Sequence, residues 1–172
     1  MERRPVRIEP WGSGDLALLV KVMGDPEMTT HLGGPESTDK INERQLRYER
    51  LADSGAGRMF KIVDDSTGEG MGSVGYWDRI WHGEPVYEMG WSVLPPFQGR
   101  GVGLAATAQA ISAARSDGKH RYLHAFPSVQ NKPSNGICRR LGFTLLGEFD
   151  FEYPPGHALR CNDWRLDLTG GA

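Results

Sequence analysis

The stretch that most constrains the fold of this chain is residues 88–107, EMGWSVLPPFQGRGVGLAAT. It begins as an apolar run rich in strand-forming residues, breaks at Pro95-Pro96, and continues into residues 104–114, which are rich in good helix formers. Between the two lies a segment with glycine at positions 99, 101 and 103. The pattern predicts a strand, a glycine-rich loop and a helix in direct succession.

The chemistry that this loop favours is the binding of an anion. Glycines allow successive backbone N–H groups to approach one anion, because no side chain stands in the way. The start of the following helix adds the positive end of its dipole. The loop therefore predicts a site for a phosphate or pyrophosphate group.

Residue types separate the phosphate-binding loops that this pattern could represent. A Walker loop ends in Gly-Lys-Ser/Thr, whereas Gly103 is followed by Leu104 and Ala105, which argues against a nucleoside triphosphatase. The dinucleotide fingerprint Gly-x-Gly-x-x-Gly lies close to the first strand of a βαβ unit. The glycines here have a different spacing and follow other predicted strands, so a Rossmann cofactor is disfavoured.

A third pattern, Gln/Arg-x-x-Gly-x-Gly/Ala, is satisfied by residues 98–103, QGRGVG. This loop resembles the acyl-CoA loop of the GNAT N-acetyltransferase superfamily. Residues 88–91, EMGW, are similar to the Glu-Ile-Gly-Tyr strand of the RimJ/RimL-like branch. Residues 131–134, NKPS, followed by residues 141–143, LGF, resemble the second CoA motif of that branch, whose members acetylate protein N-termini and assorted small amines.

Hydrophobic patterns along the chain predict the element order β-α-α-β-β-β, the glycine loop, and then α-β-α-β-β. The strand at residues 122–126 should lie parallel to the strand before the loop, because a helix connects them. We therefore expect an α/β (α+β) protein with one mixed central sheet of about seven strands and helices on both faces. The GNAT resemblance implies the same fold. A single domain over residues 1–172 is expected from the length, and residues 144–153 and 163–168 should form a closing hairpin around Pro154.

The resemblance implies that acetyl-CoA is the acyl donor and that the loop holds its pyrophosphate. The loop residues that it assigns to this role are Gln98, Gly99, Arg100, Gly101, Val102 and Gly103. It also implies that two central strands splay apart near Val93, whose backbone pairs with pantetheine and polarises the acetyl carbonyl. Asn131 is implied to contact CoA, although its position at a predicted helix start also suits an ordinary N-cap.

Acetyl transfer to an amine requires a group that accepts the proton of the amine. Glu88 is the candidate base, because it is an isolated carboxylate in an apolar strand, where burial would raise its pKa. The alternative is that Glu88 only forms hydrogen bonds to a neighbouring loop or hairpin. Strand alternation places it on the face opposite Met89 and Trp91, so a base on that second face would exclude it.

The group that protonates the leaving thiolate is less clearly indicated. The resemblance implies that Ser134, one helical turn after Asn131, lies near the CoA sulfur and donates this proton. Many GNAT enzymes use a tyrosine at the position that Cys138 occupies here, and no tyrosine lies between Tyr122 and Tyr153. A cysteine thiol is chemically able to act as an acid, but Cys138 is most simply a core residue. The general acid is therefore left among Ser134, Cys138 and solvent, with Ser134 as the preferred candidate.

The acceptor substrate is expected to contact His31 and Trp77, since the family places the acceptor beside residues 28–34. Trp81 and Tyr153 are further candidates for an acceptor pocket. A pocket for a polyamine or an aminoglycoside should hold several carboxylates. The candidates for these, which suit a solvated surface equally well, are Glu36, Asp39, Glu43, Asp78 and Glu84. We expect a small-molecule amine as acceptor, with a protein N-terminus as the alternative and a catalytically silent acyl-CoA-binding regulatory module as a further alternative.

Several other classes are disfavoured. The net charge of −2 provides no basic field for nucleic acid. Cys138 and Cys161 lack metal-ligand spacing and are expected to be free thiols, and no His-x-Glu or His-x-x-x-His spacing links His31, His124 and His157, so no metal site is predicted. The first residues are too charged for a signal peptide, and no apolar segment approaches about 18 residues. A cytoplasmic protein without membrane contact is therefore expected, and a homodimer is compatible with the resemblance.

Overall fold

The computed structural model describes residues 5–152 and 155–170. Within them the strands are β1 (Val6–Pro10), β2 (Gly57–Asp64), β3 (Gly70–Trp81), β4 (Glu84–Val93), β5 (Tyr122–Ala125), β6 (Thr144–Glu152) and β7 (Ala158–Asp167). The α-helices are α1 (Leu16–Met23), α2 (Thr38–Leu51), α3 (Val102–Asp117) and α4 (Lys132–Arg140), and short 3₁₀ helices cover Ser13–Asp15 and Pro95–Phe97. The element order predicted from the sequence is confirmed.

The strands form one mixed sheet in the order β1-β2-β3-β4-β5-β7-β6. Strands β4 and β5 are parallel, as the helical crossover predicted, whereas the other neighbouring pairs are antiparallel. The parallel pairing runs only from Tyr87↔Leu123 to Met89↔Ala125, although β4 continues to Val93. Beyond Met89 the two central strands therefore separate, and a gap opens in the sheet.

Helices cover both faces of the sheet. On one face, the rings of Phe60 and Tyr76 are in contact, and the Tyr76 hydroxyl donates a hydrogen bond to Asp117 at the end of α3. The α4 helix lies on this face too, because its Asn135 accepts a hydrogen bond from Trp164, which is level with Ala125 across the sheet. The opposite face carries α1 and α2, which contact each other.

The α3 helix is longer than predicted, because it begins inside the glycine loop. Gly101 has φ 78°, in the left-handed region, and serves as the N-cap residue. This conformation turns the chain directly from the loop into the helix, so Val102 and Gly103 are already helical. At the other end Gly118, with φ 60°, ends the helix after Asp117.

The closing hairpin also differs from the prediction, since β7 begins at Ala158 and not at residue 163. Residues 158–162, ALRCN, lack a clear apolar alternation, but they pair with β6. Arg160 there forms ion pairs with Glu148 at 3.1 Å and with Asp150 at 3.0 Å. Cross-strand pairing thus extends the strand beyond what its local pattern indicates. The predicted strand end at Tyr153 and the turn at Pro154 lie outside the described residues.

The two cysteines lie in the interior, where the side chains of Cys138 and Cys161 are free thiols, as predicted. A hydrophobic cluster that includes Tyr76, Tyr87 and Leu123 spans the sheet. Within the described ranges, no helix combines the length and the apolar character that crossing a membrane requires.

Candidate active site

A cavity of about 710 Å³ lies between the glycine loop, the start of α3 and one side of α4; we call it the donor cavity. Its lining includes Gln98, Gly99, Gly101, Val102 and Gly103. Gly99 and Gly101 have φ of 73° and 78°, and a Cβ atom at either would meet no atom within 4 Å. Their backbone is therefore open to a ligand. Arg100 is exposed and is not part of the lining.

Gly103 has a packing role in addition to the one that the loop pattern indicated. It lies within the helix, and a Cβ atom there would come 3.0 Å from Cδ1 of Ile137 and 3.4 Å from Cγ2 of Val93. The glycine therefore allows α3 to approach α4 and the end of β4 closely. Its contribution to anion binding is limited to its N–H at the helix start.

The backbone of Val93 points into the gap between β4 and β5. Leu94 donates its N–H to Met71 on the β3 side, and adjacent residues of a strand direct their backbone groups to opposite sides. The N–H and C=O of Val93 must therefore face away from β3. The Gln98 side chain donates a hydrogen bond of 2.8 Å to this carbonyl, which links the loop to the strand end.

The start of α4 closes the other side of the gap. Asn131 is the N-cap residue, and its Oδ1 accepts a hydrogen bond of 3.2 Å from the N–H of Ser134. The Ser134 hydroxyl oxygen accepts a hydrogen bond of 3.2 Å from the indole of Trp91. A serine that accepts in this way still has its own proton to donate.

Asn135, which sequence reasoning missed, holds α4 in place. Its buried side chain donates to the carbonyls of Ser128, at 3.0 Å, and Asn131, at 2.8 Å. Its Oδ1 accepts 2.8 Å hydrogen bonds from Asn162 and from the indole of Trp164. The side chain thus fixes the first turn of α4 to β7. No local pattern indicates this role, because the partners come from distant segments.

A second cavity, of about 330 Å³, opens on the α1–α2 face of the sheet and contains Glu88; we call it the acceptor cavity. The Glu88 side chain is 19% exposed. Its Oε2 accepts a hydrogen bond of 2.8 Å from the Trp77 indole, and its Oε1 lies 3.3 Å from the Arg79 guanidinium. Burial raises the pKa of Glu88 above its usual value, and the positive charge of Arg79 and the hydrogen bond from Trp77 offset only part of this increase.

Gly90 gives the Trp77 ring the space to lie across β4. A Cβ atom at Gly90 would come 3.1 Å from the Cη2 atom of Trp77. Trp77 was predicted to contact the acceptor; it lines the acceptor cavity and also positions the Glu88 carboxylate. His31, the other residue predicted to contact the acceptor, is half-buried and lines both cavities.

One wall of the acceptor cavity is aromatic, and the predicted acidic side chains are not part of the lining. This wall is formed by Phe126, directly after β5, and by Phe149, Phe151 and Leu159 of β6 and β7. None of Glu36, Asp39, Glu43, Asp78 and Glu84 belongs to the lining. Glu36 pairs with Arg44 at 2.6 Å, and Asp78 pairs with Lys119 and His120. The acidic pocket that a polyamine requires is therefore not formed by these residues.

The two cavities meet where β4 and β5 separate. The residues that line both are His31, Leu32, Trp91, Ser92, Asn131 and Ser134. Glu88 lies on one face of the sheet, whereas Trp91 and Ser134 lie on the other, and the gap connects the two faces. The separation of Glu88 from Trp91 by strand alternation therefore does not exclude Glu88 as the base.

Two other sequence candidates lie away from this junction. Cys138 is fully buried and lines neither cavity, and burial raises the pKa of its thiol to about 12. It is a core residue, as predicted. Trp81 does not line the acceptor cavity; its indole donates to Asp163 at 3.0 Å. Tyr153 lies outside the described residues.

His124 is a buried residue of β5 whose side chain has a hydrogen-bond partner. Its Nδ1 lies 2.6 Å from Oδ1 of Asp163. Burial opposes the charge of Asp163, but the hydrogen bonds from His124 and Trp81 prevail and lower the pKa of this carboxyl. An ionised carboxylate only accepts, so Nδ1 of His124 carries the proton in this contact. Among the described residues, no group of histidine, cysteine, aspartate and glutamate side chains is arranged to hold a metal ion.

Arg79 and Arg140 are further site residues that sequence reasoning missed. The two-residue turn His82-Gly83 sets the register that places Trp77 opposite Glu88, with Arg79 two residues along the same face. Counting residues along β3 and β4 from that turn would have placed Arg79 beside Trp77 and Glu88.

Arg140 lines the donor cavity with Gly136 and Ile137. Helical spacing from Pro133 would have indicated this shared face.

Solved structures with the same fold come from several bacterial acetyltransferases. The yncA protein of Salmonella typhimurium, solved with acetyl-CoA, is 22% identical, with a TM-score of 0.78 over 97% of this chain and 96% of that chain. Ribosomal-protein-S5-alanine acetyltransferase of Vibrio fischeri is 17% identical, with a TM-score of 0.79 and coverage of 99% and 96%. Spermidine N-acetyltransferase of Vibrio cholerae, solved with CoA and spermine, is 17% identical, with a TM-score of 0.78 and coverage of 95% and 96%.

At these identities the structural likenesses establish the fold alone, and a search of curated protein sequences finds no match. The family model described as "Acetyltransferase (GNAT) domain" matches residues 6–144, which include β1 through α4 and both sides of the β4–β5 gap. The chain therefore belongs to the GNAT family of acyl-CoA-dependent N-acetyltransferases.

Proposed function

We propose that the protein transfers the acetyl group of acetyl-CoA to the primary amine of a small molecule, by direct attack of the amine in a ternary complex. The observation that carries this proposal is the junction of the two cavities at the β4–β5 gap. One cavity offers an anion-binding loop, and the other holds a buried carboxylate. Two substrates that enter from these cavities would meet at the gap.

The donor cavity suits the pyrophosphate and the pantetheine arm of acetyl-CoA. The open backbone of Gly99 and Gly101, together with the start of the 16-residue α3 helix, presents N–H groups to an anion. The outward N–H of Val93 is available to an extended chain that lies along β4, whereas its C=O already accepts the hydrogen bond from Gln98. Asn131 lies at the junction, where it would contact CoA. Arg100 is exposed and would contact CoA from outside the cavity.

In the proposed reaction, the amine nitrogen bonds to the thioester carbonyl carbon while the carbon–sulfur bond breaks. Glu88 accepts the proton that the nitrogen loses, a role for which its raised pKa is suited. The N–H of Val93 stabilises negative charge on the carbonyl oxygen. The departing thiolate receives a proton from Ser134 or from solvent.

The size of the acceptor cavity favours a small molecule over a protein N-terminus. Its volume of about 330 Å³ lies at the lower end of the range of about 300–1,000 Å³ for small-molecule sites. The structural neighbours named above include enzymes for both kinds of acceptor. The buried, hydrogen-bonded Glu88 in the acceptor cavity counts against a silent acyl-CoA-binding module. We also propose a cytoplasmic location, because free cysteines suit a reducing compartment.

The test is a thiol-release assay with acetyl-CoA and a panel of amines, amino acids and short peptides, with CoA-induced thermal stabilisation measured on the same sample. We expect stabilisation by CoA, since a ligand that binds the native state raises the melting temperature, and thiol release with at least one small amine. Release with peptides alone would favour the protein N-terminus. Stabilisation without release on any acceptor would favour the silent module.

A further inference from the structure

We infer that the acceptor is a zwitterionic α-amino acid with an aromatic or large apolar side chain. This inference rests on the proposed function and specifies its acceptor. In this arrangement, the amine lies at Glu88, the carboxylate lies at the Arg79 guanidinium, and the side chain packs against Phe126, Phe149 and Phe151.

The charges that line the acceptor cavity favour a ligand of zero net charge. The charged lining residues are Arg44, Arg79 and Glu88. Arg44 is already paired with Glu36, at 2.6 Å, outside the lining. This leaves one negative group, the Glu88 carboxylate, and one positive group, the Arg79 guanidinium, 3.3 Å apart. A polyamine would bring several positive charges to a cavity whose one free carboxylate is already balanced by Arg79, so the additional charges would have no partner and would be repelled by Arg79.

The spacing of Glu88 and Arg79 matches the spacing of the charged groups in an α-amino acid. The ammonium and carboxylate of such a ligand are attached to the same carbon, so its two charges are also only a few ångströms apart. When the ammonium pairs with Glu88, the Arg79 guanidinium loses part of its counter-charge. The carboxylate of the ligand replaces that counter-charge at almost the same position.

Arg79 has the hydrogen-bonding capacity for this role. Its side chain is 35% exposed, and among the described residues its guanidinium makes one hydrogen bond, the 3.3 Å contact with Glu88. A guanidinium has five N–H donors in a planar fork that matches a carboxylate. The group is held over the rings of Trp81, at 5.5 Å, and Phe126, at 5.9 Å, so it is positioned before a ligand binds.

The aromatic wall supplies a site for the side chain of the ligand. The rings of Phe126 and Phe149 meet edge to face at 5.4 Å, and both contact Trp81. Phe151 extends this wall toward solvent and is 38% exposed. Such a surface favours an apolar body.

The experiment compares acceptors that differ in one group. Thiol release from acetyl-CoA is measured with L-phenylalanine, phenethylamine, L-phenylalaninamide, L-alanine, spermidine and a Phe-Ala-Ala peptide. We expect kcat/KM for L-phenylalanine to exceed that for phenethylamine and for phenylalaninamide by about 10–100-fold, as for a charge-assisted hydrogen-bonded pair. L-Alanine should be a poorer acceptor than L-phenylalanine, because it does not reach the aromatic wall.

Arg79→Gln tests the carboxylate contact directly. In this variant, the kcat/KM for phenylalanine should fall to about that for phenethylamine, mainly because the KM for phenylalanine rises. Arg79→Lys should retain part of the preference for phenylalanine. Arg7→Gln, on the distant strand β1, should leave the preference unchanged. Arg79 also pairs with Glu88, so its replacement can change turnover through the base. Binding of the product N-acetyl-L-phenylalanine is therefore measured by calorimetry, because product binding does not depend on the acetyl-transfer step. Its Kd should rise about tenfold or more in Arg79→Gln, whereas the Kd of N-acetylphenethylamine should not.

The outcomes separate this inference from the proposed function. If CoA stabilises the protein and the kcat/KM for phenethylamine or spermidine equals or exceeds that for phenylalanine, only the amino-acid inference is overturned. Better turnover of the peptide than of phenylalanine overturns it in favour of a protein N-terminus. If thiol release is absent with every acceptor, the proposed function fails and the inference fails with it. Unchanged product binding in Arg79→Gln overturns the assigned role of Arg79.

Discussion

At the scale of single residues, Glu88 is the group on which the proposed chemistry depends. Glu88→Gln keeps the shape of the side chain, and its single amide oxygen can still accept the hydrogen bond from Trp77, but it loses the ion pair with Arg79 and cannot accept a proton at neutral pH. We expect kcat to fall by about 10²–10⁴-fold, while CoA-induced thermal stabilisation stays unchanged, because Glu88 does not line the donor cavity. Glu84→Gln, an exposed change on the same strand, is the control. Retention of wild-type kcat in Glu88→Gln would place the base elsewhere.

The hydrogen bond from Trp77 to Glu88 leads to a prediction about pH dependence. Burial raises the pKa of Glu88, and this hydrogen bond favours the charged form and so limits the increase. Activity should decrease as the pH falls through this raised pKa, because protonated Glu88 cannot act as a base. Trp77→Phe removes the donor, so the pKa should increase further and the acidic limb of kcat/KM should move to higher pH. An acidic limb that does not move would show that Glu88 does not control it.

At the scale of secondary-structure elements, the start of α3 is the feature most sensitive to substitution. Gly101 has φ 78°, which disfavours any side chain, and its open space faces the donor cavity. Gly101→Asp should abolish CoA-induced stabilisation, because it strains the turn and adds negative charge where phosphate is expected to bind. Gly14→Asp, an exposed glycine in the first 3₁₀ helix, is the matched control. Micromolar CoA binding by Gly101→Asp would contradict the assignment of the loop.

The connection between α4 and β7 gives a prediction about stability. Asn135→Ala leaves the indole N–H of Trp164 and the amide of Asn162 without their shared acceptor. We expect the free energy of unfolding to decrease by about 2–4 kcal/mol, since each buried unsatisfied group costs about 1–3 kcal/mol. Urea denaturation measures this, with Asn42→Ala on the exposed side of α2 as control. Equal destabilisation by the two variants would refute the role of the network.

The elements could be predicted more fully than the site. Local pattern was enough for α1, and for α2, whose Ser37 cap accepts a hydrogen bond from the N–H of Lys40. The start of α3 was missed because it depends on the left-handed turn at Gly101, and the start of β7 because it depends on pairing with β6. The roles of Arg79 and Asn135 follow from strand register and long-range contacts, which composition and local spacing do not reveal. The absence of acidic side chains from the acceptor cavity likewise depends on tertiary packing.

At the scale of the whole molecule, acidic pH should destabilise the fold through its ionised carboxylates. Asp163, whose side chain is 10% exposed, has a pKa below its ordinary value of 3.8, despite burial, because His124 and Trp81 donate hydrogen bonds to it. Its contribution to stability is present above that ordinary value and is lost as the pH falls through the lowered pKa. The pKa of the exposed Asp167 is lowered in the same direction by Arg121, but solvent screens that pair.

Urea denaturation between pH 6 and pH 3 would measure this effect. We expect the free energy of unfolding to decrease at the acidic end, and to decrease less steeply in Asp163→Asn than in the natural chain. Asp53→Asn, an exposed change after α2, should retain the steep decrease. The same slope in Asp163→Asn and in the natural chain would assign the acid sensitivity to other groups.

The gap between β4 and β5 also divides the molecule into parts that can vary separately. The loop that faces the donor cavity follows β4 directly, whereas most of the aromatic wall of the acceptor cavity comes from the β6–β7 hairpin, which follows α4. Replacing the hairpin with that of another family member should therefore alter acceptor preference and leave acyl-donor handling intact. In evolutionary terms, this division would allow new acceptors to arise by drift in one hairpin, while the glycine loop and the helices beside it continue to bind the donor.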